Sequence, residues 1–277
     1  MKLNQNNDQS ILQKNHLKQL MINFKEWCDI IAAKVGAHGL SILSARSNHL
    51  PFAQDAIAAV VPGHHASEEH IARILERLGK NGAAAFIREK LPISKSIRSG
   101  DLGEILATEY ITEQTPYAVP IKRLRWKDHR NMAMRGEDVI GIERHAPTGR
   151  LRFLKSEAKS RINLAASVVA EARDALDKDN GLPSAHALSF LSERLIEIGD
   201  TDLADAIDDA QLKDGITTRS VSHLLFTFSS TGSVKQRTST PTTSLCTLMV
   251  ILAIDLPAPV DPTKVVPSKL GLGMSTG

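Results

Sequence analysis

The feature that most constrains this chain is a pair of short apolar runs separated by turn residues. The runs begin at Val139 and Leu151, and a Pro-Thr-Gly triplet occupies residues 147–149 between them. Proline and glycine in such a connection are typical of a turn between two strands. The pattern therefore predicts a β-hairpin whose strands are Val139–Arg144 and residues 151–160.

Charged residues stand where the two predicted strands would meet. Asp138 directly precedes the first strand, and the second strand contains Glu157, Ala158 and Lys159. Side chains on a strand alternate between its faces, so Glu157 and Lys159 project from the same face. If the strands pair, Asp138 lies beside them. The sequence thus predicts that two carboxylates and one ammonium group converge.

Such a cluster is suited to metal-assisted hydrolysis of a phosphodiester. Mg²⁺ binds oxygen ligands and commonly takes one or two carboxylates, so we expect Asp138 and Glu157 to bind it, with the carbonyl of Ala158 as a further ligand. Mn²⁺ is a possible substitute. Lys159 would orient or deprotonate the attacking water, or neutralise charge in the transition state. The alternative is an ordinary surface hairpin, because an acidic residue two positions before a lysine is a common surface pattern.

A third acidic residue belongs to the same hypothesis. Residues 101–112 have the composition and periodicity of a helix, and Glu104 lies in its first turns. There Glu104 would be an auxiliary ligand of the metal or of the water. The alternative is that Glu104 only interacts favourably with the helix dipole.

Positive charge is concentrated around these acids. Residues 120–161 contain twelve Lys and Arg but only five Asp and Glu, although the whole chain has a formal charge of +3. A local basic surplus is what an enzyme acting on nucleic acid requires; the alternative is a solvated strand surface. The residues predicted to bind the phosphates of DNA are Lys122, Arg123, Arg125, Lys127, Arg135 and Arg161.

The chain divides into three predicted parts. Residues 1–95 are predicted to be a helical region, with a helix over 11–31 and the histidines at 64–65 in a loop, and this region is the candidate docking surface for a partner. Residues 96–256 form the catalytic core, with further strands at 117–126, 221–228 and 245–255. Residues 229–244 are predicted to be an exposed loop, and residues 257–277 a flexible tail. The fold class predicted is α/β, a mixed sheet flanked by helices.

Composition bears on the compartment. The two cysteines, Cys28 and Cys246, are far apart in sequence and match no zinc-ligand spacing. The polar N-terminus does not resemble a signal peptide, and the longest apolar run, residues 248–254, is too short to span a bilayer. We therefore expect a cytoplasmic protein without membrane attachment.

With Glu104 on a helix, Asp138 before one strand and Glu157-Ala158-Lys159 on the next, the chain resembles the PD-(D/E)xK nuclease superfamily. That superfamily takes its acidic residues and its lysine from a helix and two adjacent strands in this order. The resemblance implies a PD-(D/E)xK-type sheet and a catalytic set of Glu104, Asp138, Glu157 and Lys159. One departure is that Glu137, rather than proline, precedes Asp138.

A closer resemblance is to the HamA family, the nuclease subunits of the Hachiman anti-phage defence system. It is carried by the segments at 99–107, 124–128, 132–141 and 156–161. The resemblance implies a DNA nuclease restrained by a helicase subunit, HamB, with which it forms a heterodimer. Two alternatives stay open on the residues alone: a catalytically inert module that binds DNA or docks a helicase, and a nuclease that acts on RNA.

Overall fold

The computed structural model describes residues 21–35, 38–161 and 165–229, together with the backbone of residues 246–253. The α-helices in these ranges are, in chain order, α1 (Phe24–Trp27), α2 (Leu50–His65), α3 (Glu68–Lys90), α4 (Lys95–Gln114), α5 (Ala166–Asp177), α6 (Ala185–Glu197) and α7 (Thr201–Asp209). The strands are β1 (Cys28–Val35), β2 (His38–Ala45), β3 (Val139–Arg144), β4 (Leu151–Arg161), β5 (Val221–Ser229) and β6 (Cys246–Ala253).

The strands form a mixed six-stranded sheet in the order β1-β2-β6-β5-β4-β3. The central strands β2, β6, β5 and β4 are parallel neighbours. The two edge strands, β1 and β3, are each antiparallel to the neighbouring strand. The predicted fold class, an α/β mixed sheet flanked by helices, is confirmed.

Helices cover both faces of the sheet. On one face α1, α2 and α4 share an apolar core with β2, β4 and β5, and this core includes Trp27, Leu106 and Phe226. On the other face α6 and α7 pack on β3 and β4 through residues such as Leu195. The helix α5 packs on β5 there through Ala172 and Leu176, both almost fully buried. The carboxylate-bearing hairpin therefore lies between two helical layers.

The predicted hairpin is confirmed nearly residue for residue. β3 pairs with β4 in antiparallel register, with Val139 opposite Ser156 and Arg144 opposite Leu151. His145 and Thr148 hydrogen-bond in the connecting turn, and Gly149 adopts a positive φ of 68°. The strands predicted at 221–228 and 245–255 are also present, as β5 and β6.

The prediction of a helical N-terminal region was wrong for part of its length. Residues 1–20 lie outside the described ranges, but from Cys28 the chain forms the β1–β2 hairpin rather than continuing the predicted helix of 11–31. β2 pairs with β6, and this long-range pairing outweighs a local pattern that suits either structure. Strands from the N-terminal region and from the predicted core thus belong to one sheet.

The strand predicted at 117–126 was also wrong. Only Ala118 pairs, in an isolated bridge with Ile142, and residues Arg123–Trp126 form a 3-10 helix. Pro116 and Pro120 flank the bridge, and proline has no N–H to donate to a ladder. A continuous strand therefore cannot form at this position.

Three further features are a helix cap, the possibility of a membrane-spanning helix, and the predicted C-terminal loop and tail. Ser67 caps α3 by accepting a hydrogen bond from the His70 amide at 3.2 Å. None of the helices in the described ranges is long and apolar enough to cross a membrane. The loop predicted at 229–244 was wrong at Ser229, which is the last residue of β5, and the rest of that loop and the predicted tail at 257–277 lie outside the described residues.

Candidate metal and nuclease site

The hairpin brings Asp138 and Glu157 together. Since Val139 lies opposite Ser156 in the register, the residue before β3 adjoins the acidic end of β4. The Ala158 amide donates a hydrogen bond of 2.8 Å to Asp138 Oδ2. This bond fixes the Asp138 carboxylate against the Glu157-Ala158-Lys159 segment, as the sequence predicted.

The two carboxylates repel each other in a largely dry environment. Burial raises the pKa of Asp138, although the Ala158 amide and the positive charges of Arg123 and Lys159 partly oppose this. Burial, and then the negative charge of Asp138, raise the pKa of Glu157 to about 7. A bound divalent cation would relieve both the desolvation and the repulsion.

Lys159 lies in contact with two carboxylates rather than one. Its Nζ is 2.9 Å from Glu157 Oε1 and 2.9 Å from Glu171 Oε1. Burial lowers the pKa of Lys159, but the hydrogen bonds to Glu157 and Glu171 outweigh it and the pKa is raised overall. Glu171 belongs to α5, and nothing in its local sequence signals this role.

Glu104 is buried on α4 near the same cluster. Its Oε1 is 3.6 Å from Nε of Arg123. Burial raises the pKa of Glu104 well above its usual value; Arg123 opposes the rise, and the negative charge of Asp138 adds to it. Glu104, Asp138 and Arg123 line one cleft, which Phe190 of α6 also lines.

Arg123 is a second basic residue, besides Lys159, beside the carboxylate cluster. Its Nη2 donates to the carbonyl of Arg135 at 3.0 Å. Its Nε is buried and has no hydrogen-bond partner in the part of the chain that the structure describes. The guanidinium is thus held at the edge of the carboxylate cluster by the Arg135 carbonyl and by its ion pair with Glu104.

The donor set fits a hard divalent cation. Within the described ranges no three His, Cys, Asp or Glu side chains converge as a ready-made metal site. Asp138 and Glu157 nevertheless offer two adjacent carboxylates, and Mg²⁺ typically combines one or two of these with waters and substrate phosphate. The carboxylate repulsion described above is an independent reason for a cation to bind there.

Three of the basic residues predicted to bind DNA are engaged inside the fold. Both oxygens of Asp101 accept hydrogen bonds of 2.8 Å from Lys127, whose side chain is only 5% exposed. Lys122 donates to Glu109 at 3.2 Å, and Arg125 donates to the carbonyl of Gly63 at 2.8 Å. These contacts tie the segment around the 3-10 helix to α2 and α4.

Two further members of the predicted DNA-binding set, Arg135 and Arg161, are more accessible. Arg135 is exposed, and the side chain of Arg161 is 47% exposed, with its Nη2 3.8 Å from Glu171 Oε2. Arg161 follows Lys159 by two residues on β4, so both lie on the same face of the strand. The predicted DNA contacts stay predictions, and their accessibility favours Arg161 and Arg135 over Lys127.

The histidine pair was predicted to be in a loop, and that was wrong. His64 and His65 end helix α2 and are each 2% exposed. His64 Nε2 is 2.7 Å from Glu109 Oε1, and because a carboxylate only accepts, Nε2 carries the proton. Burial, reinforced by the positive charge of Lys122, lowers the pKa of His64 to about 4. The pair therefore packs as neutral side chains against α4.

Glu137, the residue before Asp138, has a structural contact of its own. Its carboxylate accepts hydrogen bonds from the amide and the hydroxyl of Ser184, at 2.7 and 3.0 Å. Ser184 is the N-cap of α6. Glu137 thereby joins the start of α6 to the residue next to Asp138, and it positions one wall of the cleft.

Comparison with known proteins extends over most of the chain. The HamA family matches residues 21–247. A relative in Bacillus cereus, described as Hachiman protein HamA, is 26% identical over 224 residues. That alignment covers 78% of this chain and 79% of the relative.

Proposed function

Because the chain belongs to the HamA family, we propose that it is a Mg²⁺-dependent deoxyribonuclease acting as the effector of a two-component anti-phage defence system. The observation that carries the proposal is the convergence of Asp138, Glu157 and Lys159 on one hairpin, with the Asp138 carboxylate fixed by the Ala158 amide at 2.8 Å. The similarity to a Hachiman protein supports the defence role.

Each residue has a defined part in the proposed reaction. Asp138 and Glu157, with the carbonyl of Ala158, would hold Mg²⁺ or Mn²⁺, and Glu104 would bind a coordinated water. The cation would polarise the scissile phosphate and promote ionisation of the attacking water. Lys159 would orient that water and offset the negative charge that develops on the phosphate.

Arg123 and Arg161 are proposed to hold the DNA backbone on either side of this centre. Arg123 lies beside Glu104 in the cleft that Asp138 also lines, which suits the phosphate nearest the reaction. Arg161 is half-exposed at the end of β4, which suits a neighbouring phosphate. A guanidinium can bind a phosphate through two parallel hydrogen bonds.

The proposal includes a helicase subunit, HamB, as a heterodimeric partner in the cytoplasm. The N-terminal region is the proposed docking surface. β1 is the edge of the sheet opposite to β3, and the side chains of Ile31 and Leu78 are 59% and 61% exposed. Ile31→Asp and Leu78→Asp should abolish co-purification with the helicase subunit and leave the circular-dichroism spectrum unchanged.

The test of the activity is cleavage of supercoiled and linear DNA by the purified chain, with and without Mg²⁺. The Glu157→Ala/Lys159→Ala variant is assayed in parallel, and Glu143→Gln, which removes one acid at the far end of β3, serves as the matched control. Mg²⁺-dependent cutting by the wild type and the control, lost in the double variant, would support the proposal. If the chain cuts neither of the two DNA substrates, whether it is assayed alone or with its helicase partner, the proposal fails.

A further inference from the structure

Helix α5 contributes a carboxylate that the predicted catalytic set does not include. Glu171 Oε1 is 2.9 Å from Lys159 Nζ, the same distance as that from Glu157 Oε1. Lys159 lies on a strand and Glu171 on a helix that packs against the sheet. The ammonium group is therefore held from two separate elements of the fold.

The backbone that carries Glu171 is well anchored. The adjacent Ala172 is fully buried, and Leu176, one turn further along α5, is 2% exposed; both pack with Leu225 of β5. The carboxylate itself is 56% exposed. A helix anchored in the core thus places an accessible carboxylate beside Lys159.

The two oxygens of Glu171 face two different cations. Oε1 contacts Lys159, and Oε2 is 3.8 Å from Nη2 of Arg161. Lys159 and Arg161 project from the same face of β4. Their contacts with one carboxylate fix the orientation of that carboxylate and the spacing of the two basic groups.

The two carboxylates beside Lys159 do not have the same proposed task. Glu157 is proposed to bind the divalent cation, and a carboxylate bound to a cation attracts an ammonium group less strongly. Glu171 is not one of the two proposed ligands, Asp138 and Glu157, and does not share that task. It is the partner that remains for Lys159 when Glu157 engages the metal.

From this geometry we infer that Glu171 is a positioning residue for the nuclease reaction, which holds Lys159 and Arg161 in the arrangement required by the scissile phosphate and its neighbour. This inference rests on the proposed function. Glu171 adds a carboxylate from helix α5 to the predicted catalytic set, which comes from α4 and the β3–β4 hairpin. It acts through Lys159 rather than by binding the metal or the DNA.

An ordinary surface ion pair would behave differently. Exposed pairs contribute little to stability, so the loss of such a pair would affect neither turnover nor folding noticeably. The loss of a positioning residue also leaves folding almost unchanged but lowers turnover, because a displacement of about 1 Å in a catalytic group can reduce the rate about 100-fold. Turnover therefore separates the two possibilities.

The test compares Glu171→Gln with Asp174→Asn, which removes an exposed acid from the same helix. We expect Glu171→Gln to lower kcat for DNA cleavage by about tenfold or more, with KM changed much less and the dependence on Mg²⁺ concentration unaltered. Glu171→Asp, which keeps the charge on a shorter side chain, should recover part of the loss. Asp174→Asn should match the wild type.

A second readout does not depend on cleavage. The NMR signal of the Lys159 ammonium group, identified by its loss in Lys159→Arg, should weaken or vanish in Glu171→Gln and persist in Asp174→Asn. An unchanged ammonium signal, or wild-type kcat in Glu171→Gln, would overturn the inference. If the wild type does not cleave DNA either alone or with its helicase partner, the proposed function fails, and the NMR comparison still decides whether Glu171 holds Lys159.

Discussion

The repulsion between Asp138 and Glu157 should make the metal-free protein less stable than a variant that lacks one of the two charges. Burial and the neighbouring Asp138 raise the pKa of Glu157 from 4.5 to about 7. Since a pKa difference of one between the folded and unfolded states corresponds to about 1.36 kcal/mol, ionised Glu157 costs the folded state up to about 3 kcal/mol. Glu157→Gln removes that charge and keeps the shape.

The sign of the effect defines its pH window. The folded state binds the Glu157 proton more tightly than the unfolded state does. Below the unfolded pKa of 4.5 the carboxyl is protonated in both states, so it does not destabilise the folded state there. The cost develops as the pH rises from 4.5 and is complete above about 7. Glu157→Gln should therefore stabilise the protein at about pH 8 and have little effect at about pH 4.

Thermal unfolding in EDTA measures the effect directly. For a chain of this size about 3 kcal/mol corresponds to an increase in Tm of roughly 5–10 °C. Glu143→Gln, which also removes one negative charge, should give no comparable gain. With Mg²⁺ added, the Tm of the wild type should rise and that of Glu157→Gln should not, because only the wild type retains both ligands.

Two results would refute this reasoning. A lower Tm for Glu157→Gln in EDTA at about pH 8 would mean that the salt bridge with Lys159 outweighs the repulsion from Asp138. An equal gain at acidic and alkaline pH would mean that the substitution acts through packing rather than through charge.

Three further predictions concern the surrounding fold. The pKa of His64 is lowered from 6.5 to about 4, so as the pH falls the unfolded state is protonated at a higher pH than the folded state. The free energy of unfolding should therefore decrease through that pH range, by up to about 3 kcal/mol at this site. Urea titrations should detect a smaller decrease in His64→Gln. Gly141→Ala should destabilise the protein by about 1–3 kcal/mol, because the new Cβ would lie 2.9 Å from Cβ of Tyr117. Gly103→Ala should be tolerated, because the atom nearest to a new Cβ there would be 3.5 Å away. Calorimetry of the two variants compares their stabilities. Lys127→Ala should lower the Tm, since it leaves Asp101 without its 2.8 Å partner. We assign Lys127 a structural role and Arg161 a role in DNA binding. A DNA-binding assay in which Arg161→Ala weakened binding less than Lys127→Ala would contradict this assignment.

Local sequence was sufficient for the hairpin that carries the proposed site. An apolar run, turn residues and a second apolar run specify β3 and β4, and the alternation of side chains places Glu157 and Lys159 on one face. The nearness of Asp138 follows from the register alone. These features depend on contacts between residues close together in sequence.

Features that depend on distant contacts were missed. The β1–β2 hairpin requires β6, and neither the contact of Glu171 with Lys159 nor the pairing of His64 with Glu109 can be inferred from spacing. The function of the basic cluster as a DNA contact stays a prediction. Its sequence could not distinguish Lys127, which is buried against Asp101, from the half-exposed Arg161.

The position of β6 between β2 and β5 has a consequence for the order in which the protein folds. Gly39 of β2 pairs with Leu248 of β6, which closes a loop of about 200 residues, and such long-range pairings form slowly. On the ribosome, the β3–β4 hairpin emerges well before residue 246, whereas the β1–β2 hairpin cannot join the sheet until β6 has been synthesised. We therefore expect the hairpin with Asp138 and Glu157 to be ordered early in refolding, and amide protection in β2 to appear in a later kinetic phase.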